Sequence, residues 1–207
     1  MMRALPEDHW LLGVRPQPVT AEEYEALPED ICRMIEVVGG QVIFSEAPTP
    51  RHRRAGRRLA QLIEKHARRA MERGHGCLEV DTDIDLRLQD VPLLNRRPDV
   101  VLYRCIDHDN RERLRAEHVA LVVEIVSPGS EVADSMDKLS EYGKASIAHY
   151  WIVRLDGQGI SIIERYRLDT ATRCYKHTGT LMRDEDGGPP EVDSPIPVTI
   201  DWSELEY

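Results

Sequence analysis

Residues 118–126 read HVALVVEIV, a near-continuous apolar run that encloses one carboxylate, Glu124. A run of this kind, rich in Val and Ile, reads as a central strand covered on both faces. A charge inside such a strand is costly unless something pairs with it. An Arg or Lys in the core would satisfy Glu124, and so would a cation. Spacing alone leaves these two readings level.

Just upstream, PDVVLY (98–103) reads as a second strand with Asp99 at its start. Two carboxylates on neighbouring strands of one sheet can converge on a single ion. Hard oxygen ligands with positions left open for water suit Mg²⁺, with Mn²⁺ as the alternative. Such an ion polarises a phosphodiester oxygen and makes a water more acidic at neutral pH.

Earlier still, CLEVDTDIDLRL (77–88) alternates Val80, Thr82, Ile84 and Leu86 with Asp81, Asp83, Asp85 and Arg87. The pattern predicts a strand, or a tight strand pair, with one wet face. The D-x-D-x-D spacing invites comparison with an EF-hand loop. Leu86 stands where that loop needs Gly, and Pro92 where it needs Glu, so the reading fails. Alternation explains the three acids, with Asp83 a further acid to watch near the pair.

TAEEYEAL (20–27) predicts a short helix in which Thr20 and Glu23 form a capping box. RMIEVVGGQVIFSE (33–46) predicts a hairpin, because Gly39-Gly40 supplies positive φ without steric cost. Residues 51–73 carry the strongest helical period, with Ala55, Leu59, Leu62, Ile63, Ala67, Ala70 and Met71 on one face. Downstream of Glu124, Ser127–Ser130 breaks the strand, and residues 131–146 predict a helix with Val132, Met136, Leu139 and Gly143 as its inner stripe. YWIVRL (150–155), GISIIERYRL (159–168) and TRCYKHTG (172–179) predict a series of strands, with Tyr150 and Trp151 in the core. The polar stretch DEDGGPP leads to a final short strand and helical turn in SPIPVTIDWSELEY (194–207). The order of these elements fits a mixed sheet flanked by helices, an α/β (α+β) arrangement. No repeat or linker divides the 207 residues, so one domain over 1–207 is expected.

The net charge of −10 argues against avid binding of nucleic acid over the whole surface. Charge is uneven, however: Arg51 to Arg73 holds nine Lys or Arg against Glu64 and Glu72. That segment is a candidate phosphate-tracking face through Arg54, Arg58 and Lys65, or else a solvated helix surface. No apolar run is long enough to span a membrane, and MMRALPEDHWLLGVRP lacks a signal-peptide layout. Cys32, Cys77, Cys105 and Cys174 lie far apart with no metal-ligand spacing, so reduced thiols in a cytoplasmic protein are expected. P-loop, GxGxxG, HExxH and GxSxG motifs are all missing, which removes the usual nucleotide-cofactor, zinc-protease and esterase readings.

RPDVV (97–101), VVEIVSPGS (122–130), the string Asp134, Lys138, Leu139, Tyr142, and YWIV (150–153) occur in that order. Together with RMIEVVGGQVIFSEAPTPRH and SPIPVTIDWSEL, they resemble the Uma-two family of restriction-endonuclease-type proteins. That family is a bacterial branch of the PD-(D/E)XK nuclease superfamily, and the resemblance runs over about residues 18–205. It implies a restriction-endonuclease-like mixed central sheet flanked by helices, and a Mg-dependent endonuclease acting on DNA, as a homodimer. Asp99 matches the Asp of the PD motif, and Glu124 the Glu of E-x-K. Glu36 matches the hairpin acid that often helps to complete the metal site, and His52 matches a His at the start of the long helix.

One departure stands out. The usual lysine of E-x-K would fall at position 126, which is Val126. The resemblance moves that lysine to Lys138 on the next helix. By spacing, Asp134, Lys138 and Tyr142 make a stripe roughly opposite the apolar one, where an Asp134–Lys138 surface pair is the plainer reading. The competing expectation is a non-catalytic binding or interaction module that keeps the fold, which Val126 and the −10 charge favour.

Overall fold

The computed structural model describes residues 17–45, 48–106, 113–126, 133–183 and 188–207, with backbone alone at 133–136. The chain opens with α1 (Ala21–Glu25), whose start is fixed as expected: Glu23 N donates to Thr20 Oγ1 and Thr20 N to Glu23 Oε2. After α2 (Glu29–Cys32) comes the hairpin of β1 (Ile35–Val38) and β2 (Gln41–Phe44). Gly39 and Gly40 both take positive φ between them, at 57° and 79°.

The long helix α3 (Pro50–Glu72) starts behind Thr49, whose hydroxyl accepts from His52 N. Next are β3 (Leu78–Asp81), β4 (Leu86–Gln89), β5 (Leu94–Arg96), β6 (Val100–Arg104), β7 (Leu114–Arg115) and β8 (Val119–Val126). Helix α4 (Ala133–Lys144) leads to β9 (His149–Leu155), β10 (Ile160–Asp169) and β11 (Cys174–Met182). A small pair, β12 (Glu191–Val192) with β13 (Val198–Thr199), and the helical turn α5 (Trp202–Leu205) close the chain.

The main sheet runs β11-β10-β9-β8-β6-β3, mixed because β8 is parallel to β9 and antiparallel to β6. The apolar run 118–126 therefore does form a central strand. Its period of two sends Leu121, Val123 and Ile125 toward α3, where Ala55, Leu59, Leu62 and Ile63 pack with them. Burying each of Leu59, Leu62 and Ile63 stabilises the fold by on the order of 2 kcal/mol. The opposite face carries Val122, Tyr150 and Ile152, under Tyr142 of α4. Glu124 lies on that second face.

A second sheet, β2-β1-β5-β4-β7, has a small core of its own against α1 and α2, built on Tyr24, Ile31, Ile35, Val37 and Leu93. Leu86 and Leu114 join it to the main sheet by packing with Val101, Tyr103 and Val122, and Arg96 reaches α4. Within it, Tyr24 Oη donates to Asp85 Oδ2 at 3.0 Å and Arg97 pairs with Asp85.

CLEVDTDIDLRL is neither one strand nor a tight pair, because β3 belongs to the main sheet and β4 to the second. The chain crosses between them at Asp83, which takes a left-handed φ of 54°. Asp85 and Arg87, expected on a wet face, are buried. The cysteines are not all reduced, since Cys77 and Cys105 form a disulfide. The reason is register: β3 and β6 pair Leu78 with Arg104, so Cys77 and Cys105 face each other on the next rung despite 28 residues between them.

The break at 127–130 and the residues Val132 and Met136 of the expected inner stripe lie outside the described side chains, as does Asp134. Tyr150 and Trp151 are core residues as expected. Among the described residues, no helix is long and apolar enough to cross a membrane.

Candidate active site

Glu124 is 6% exposed, and both of its oxygens are engaged. Lys138 Nζ donates to Oε2 at 2.8 Å, and Tyr142 Oη donates to Oε1 at 2.6 Å. The two donors stand one turn apart on α4, so a single helix face serves one carboxylate. That face looks inward. The reading by spacing alone, a solvated Lys138 stripe, does not hold: Tyr142 is fully buried and Lys138 largely so.

Burial pushes the Glu124 carboxyl up to about 7. The charge of Lys138 and the hydrogen bonds from Lys138 and Tyr142 act against the rise, and the charge of Asp99 adds to it. Asp99 therefore lies close enough to Glu124 for like charges to be felt.

Asp99 sits immediately before β6 and is held from two sides. Its Oδ2 accepts from Ile125 N at 2.6 Å, which ties it to the residue after Glu124. Its Oδ1 is 2.7 Å from His52 Nε2 on the first turn of α3. Burial alone would lower the His52 ring, but its hydrogen bond to Asp99 and the charges of Asp99, Asp83 and Glu124 raise it. Asp83 joins the same electrostatic neighbourhood. Burial and Asp99 raise its carboxyl, while Arg97, Arg53 and His52 oppose them.

Glu36 has other partners. Its Oε2 accepts from Arg96 Nη1 at 2.8 Å and its Oε1 from Arg97 N at 2.9 Å. The hairpin acid expected to join the metal set is thus bound to a buried arginine on β5.

Arg54, Arg58 and Lys65, expected along a nucleic-acid backbone, are turned to the C-terminal segment. The Arg54 guanidinium lies 5.3 Å over the Tyr207 ring, Arg58 Nη1 donates to Glu204 O at 3.0 Å, and Lys65 Nζ to Glu204 Oε1 at 2.6 Å. One face of α3 thus holds the turn α5. Beside the acidic pair the basic surface is the first turn of α3, where Arg51 and Arg53 are exposed on either side of His52. A cleft lined by His66, Arg69, Arg73, Glu191 and Asp193 lies at the other end of α3, away from Asp99 and Glu124.

Asp99, Glu124 and Lys138 are legible in the sequence as one candidate site, whereas His52 carries no role there and Tyr142 is only part of a motif string. The i, i+4 spacing of Lys138 and Tyr142 was the available signal, since two donors on one stripe can share an acceptor.

Among the described residues, no group of three or more His, Cys, Asp or Glu side chains gathers into a metal cage. The donor chemistry of Asp99 and Glu124 nevertheless fits Mg²⁺. That ion is commonly held by one or two carboxylates, with substrate phosphates and waters completing its shell. A cation would also offset the mutual repulsion that helps to raise Glu124.

Residues 21–195 match the model of the Uma2 family, described as "Putative restriction endonuclease". A solved structure with a similar fold is the crystal structure of "a putative nuclease belonging to DUF820" from Anabaena variabilis. It has a TM-score of 0.59 at 16% identity, covering 86% of this chain and 90% of that one. No curated protein matches significantly.

Proposed function

The chain belongs to the Uma2 family of restriction-endonuclease-type proteins, and from that premise we propose that it is a Mg²⁺-dependent endonuclease hydrolysing phosphodiester bonds in DNA. The observation that carries the reading is the buried carboxylate Glu124, which meets an ammonium from α4 while Asp99 stands nearby. A lone structural ion pair would explain Glu124 and Lys138. It would not explain a second carboxylate, Asp99, standing close enough to raise the Glu124 carboxyl.

In this reading Asp99 and Glu124 hold the cation, with Mn²⁺ able to replace Mg²⁺. When bound, such an ion supplies Lewis-acid polarisation of a phosphate oxygen and a more acidic water. The residues of the chain do the rest. Lys138 places a compact positive charge where negative charge grows on the phosphate, a task that Val126 cannot perform. Tyr142 holds the second oxygen of Glu124, so that the carboxylate keeps one orientation. His52 does the same for Asp99. Arg51 and Arg53, beside His52, are placed to meet the substrate backbone, and this short basic surface suits a protein whose net charge is −10. A homodimer would present two such sites, one to each strand.

The test is incubation of the purified protein with plasmid and with single-stranded substrates, in Mg²⁺, in Mn²⁺ and in chelator. Cleavage that needs the metal and disappears in Glu124→Ala is expected. Binding of nucleic acid without cleavage, unchanged in Glu124→Ala, would favour the non-catalytic module instead.

A further inference from the structure

Arg96 is the most completely paired cation near the site. Its side chain is 5% exposed, on the last residue of β5. Nε donates to Glu141 Oε2 at 2.7 Å, Nη2 to Glu141 Oε1 at 2.9 Å, and Nη1 to Glu36 Oε2 at 2.8 Å. Burial would lower its pKa, but Glu141 and Glu36 more than compensate and hold it above the ordinary value, so the guanidinium stays charged. The fork fits a carboxylate through two parallel bonds, which fixes direction as well as distance.

The place of these bonds matters more than their number. Glu141 is next to Tyr142 and three residues beyond Lys138 on α4, the helix that supplies both donors to Glu124. Glu36 belongs to β1 of the second sheet and also accepts from Arg97 N. Three residues after Arg96, on the same stretch of backbone, comes Asp99. One short segment, Arg96 to Asp99, therefore carries one acid of the pair and grips the helix that serves the other.

We propose that Arg96 is a positioning residue: through its bidentate bond to Glu141 it sets where α4 holds the Lys138 ammonium against Glu124, with Glu36 as its counter-charge. This rests on the nuclease reading for its catalytic consequence, though the placement of Lys138 does not. Reactive groups tolerate little displacement, and a shift of about 1 Å in a group acting on the transition state can cost on the order of 10²-fold in rate. A long, flexible lysine has no such precision of its own. The second sheet supplies it, acting as a frame for the helix. Glu36 then contributes as the partner that keeps Arg96 charged and aimed.

Two variants test this, Arg96→Lys and Glu141→Gln. Both keep a hydrogen-bonding group and both remove the fork. The first measurement is the rate of Lys138 acylation by an amine-reactive anhydride, read by mass spectrometry, with Lys65 on α3 as the internal reference. Each variant is expected to label Lys138 about tenfold faster while Lys65 keeps its wild-type rate. The second measurement is steady-state cleavage in Mg²⁺. Here kcat is expected to fall on the order of tenfold to 10²-fold with KM little changed, because the ammonium acts in the transition state rather than in binding. The double variant should be no worse than either single one.

Wild-type labelling of Lys138 in the folded single variants would overturn the proposal, and so would an equal rise at Lys65, which marks general loosening. If Arg96→Lys does not fold, Glu141→Gln decides alone. If the wild-type protein cleaves nothing while Lys138 labels faster in the variants, the nuclease reading fails and the positioning role stands.

Discussion

Lys138 Nζ lies 2.8 Å from Glu124 Oε2, although one residue comes from a covering helix and the other from the middle of a six-stranded sheet. Glu124 is the more constrained partner, since Tyr142 occupies its other oxygen. The pair offsets part of the cost of placing a carboxylate inside an apolar strand, and it leaves a positive charge at the edge of an acidic site.

Replacing Lys138 should therefore do two separable things. In Lys138→Met the buried carboxylate loses its counter-charge, which should cost about 3 kcal/mol of stability above neutral pH. Metal-dependent cleavage should also fall on the order of 10²-fold. Denaturant melts report the first effect, and cleavage per folded molecule the second. A Lys138→Met protein that cleaves at the wild-type rate would remove the lysine from the mechanism.

The pH dependence follows from Glu124, whose carboxyl burial raises from its ordinary 4.5 to about 7. The folded state then holds this proton more tightly than the unfolded chain does. The associated stability is full below pH 4.5 and is lost as pH rises through about 7. Cation binding runs the other way, because it needs the anion. Mn²⁺ affinity should rise with pH up to about 7 and level off above it. Calorimetric titrations on both sides of neutrality would show this slope in the wild type. Glu124→Gln, with nothing to titrate there, should give a much weaker and flatter response.

Much of this was legible in the sequence, and the rest failed for identifiable reasons. Glu124 stood out because a charge in an apolar strand is expensive, and Gly39-Gly40 because few other pairs turn a hairpin so cheaply. Both signals are local. The split of 77–88 into two sheets was hidden because the alternation of polar and apolar residues continues across Asp83, where the chain changes partners. Lys138 and Tyr142 looked like a solvated stripe, since the acceptor that draws them inward lies on another element. Arg96 with Glu141, 45 residues apart, and Cys77 with Cys105, 28 apart, are set by register and packing, which no single segment encodes.

The Cys77–Cys105 bond closes a loop that contains Asp81, Asp83 and Asp99. On chain-entropy grounds, a crosslink between residues 28 apart stabilises by roughly 3–4 kcal/mol. Reductant, or Cys77→Ser, should lower the unfolding midpoint accordingly, whereas Cys174→Ser, at an exposed free thiol, should not. Denaturant melts with and without reductant make the comparison. Identical midpoints would mean that the bond contributes nothing to stability.

The proposed metal site separates two carboxylate environments that look alike in sequence. Asp99 keeps its oxygens on an imidazole, His52, and on the backbone N–H of Ile125, with no arginine on either among the described residues. Glu36 spends its charge on Arg96. Removing Asp99 should therefore abolish most Mn²⁺ binding, and Glu36→Gln should leave the affinity near that of the wild type. His52→Ala lies between the two. It keeps the ligand but frees its orientation, and the loss of an outer hydrogen-bond partner of this sort typically costs roughly 10–100-fold in metal affinity. Calorimetry with Mn²⁺ on the three variants gives the order directly. If Glu36→Gln loses as much affinity as Asp99→Ala, the hairpin acid is a ligand after all, and its bond to Arg96 must give way when the ion binds. If Asp99→Ala binds as the wild type does, the ion is held elsewhere.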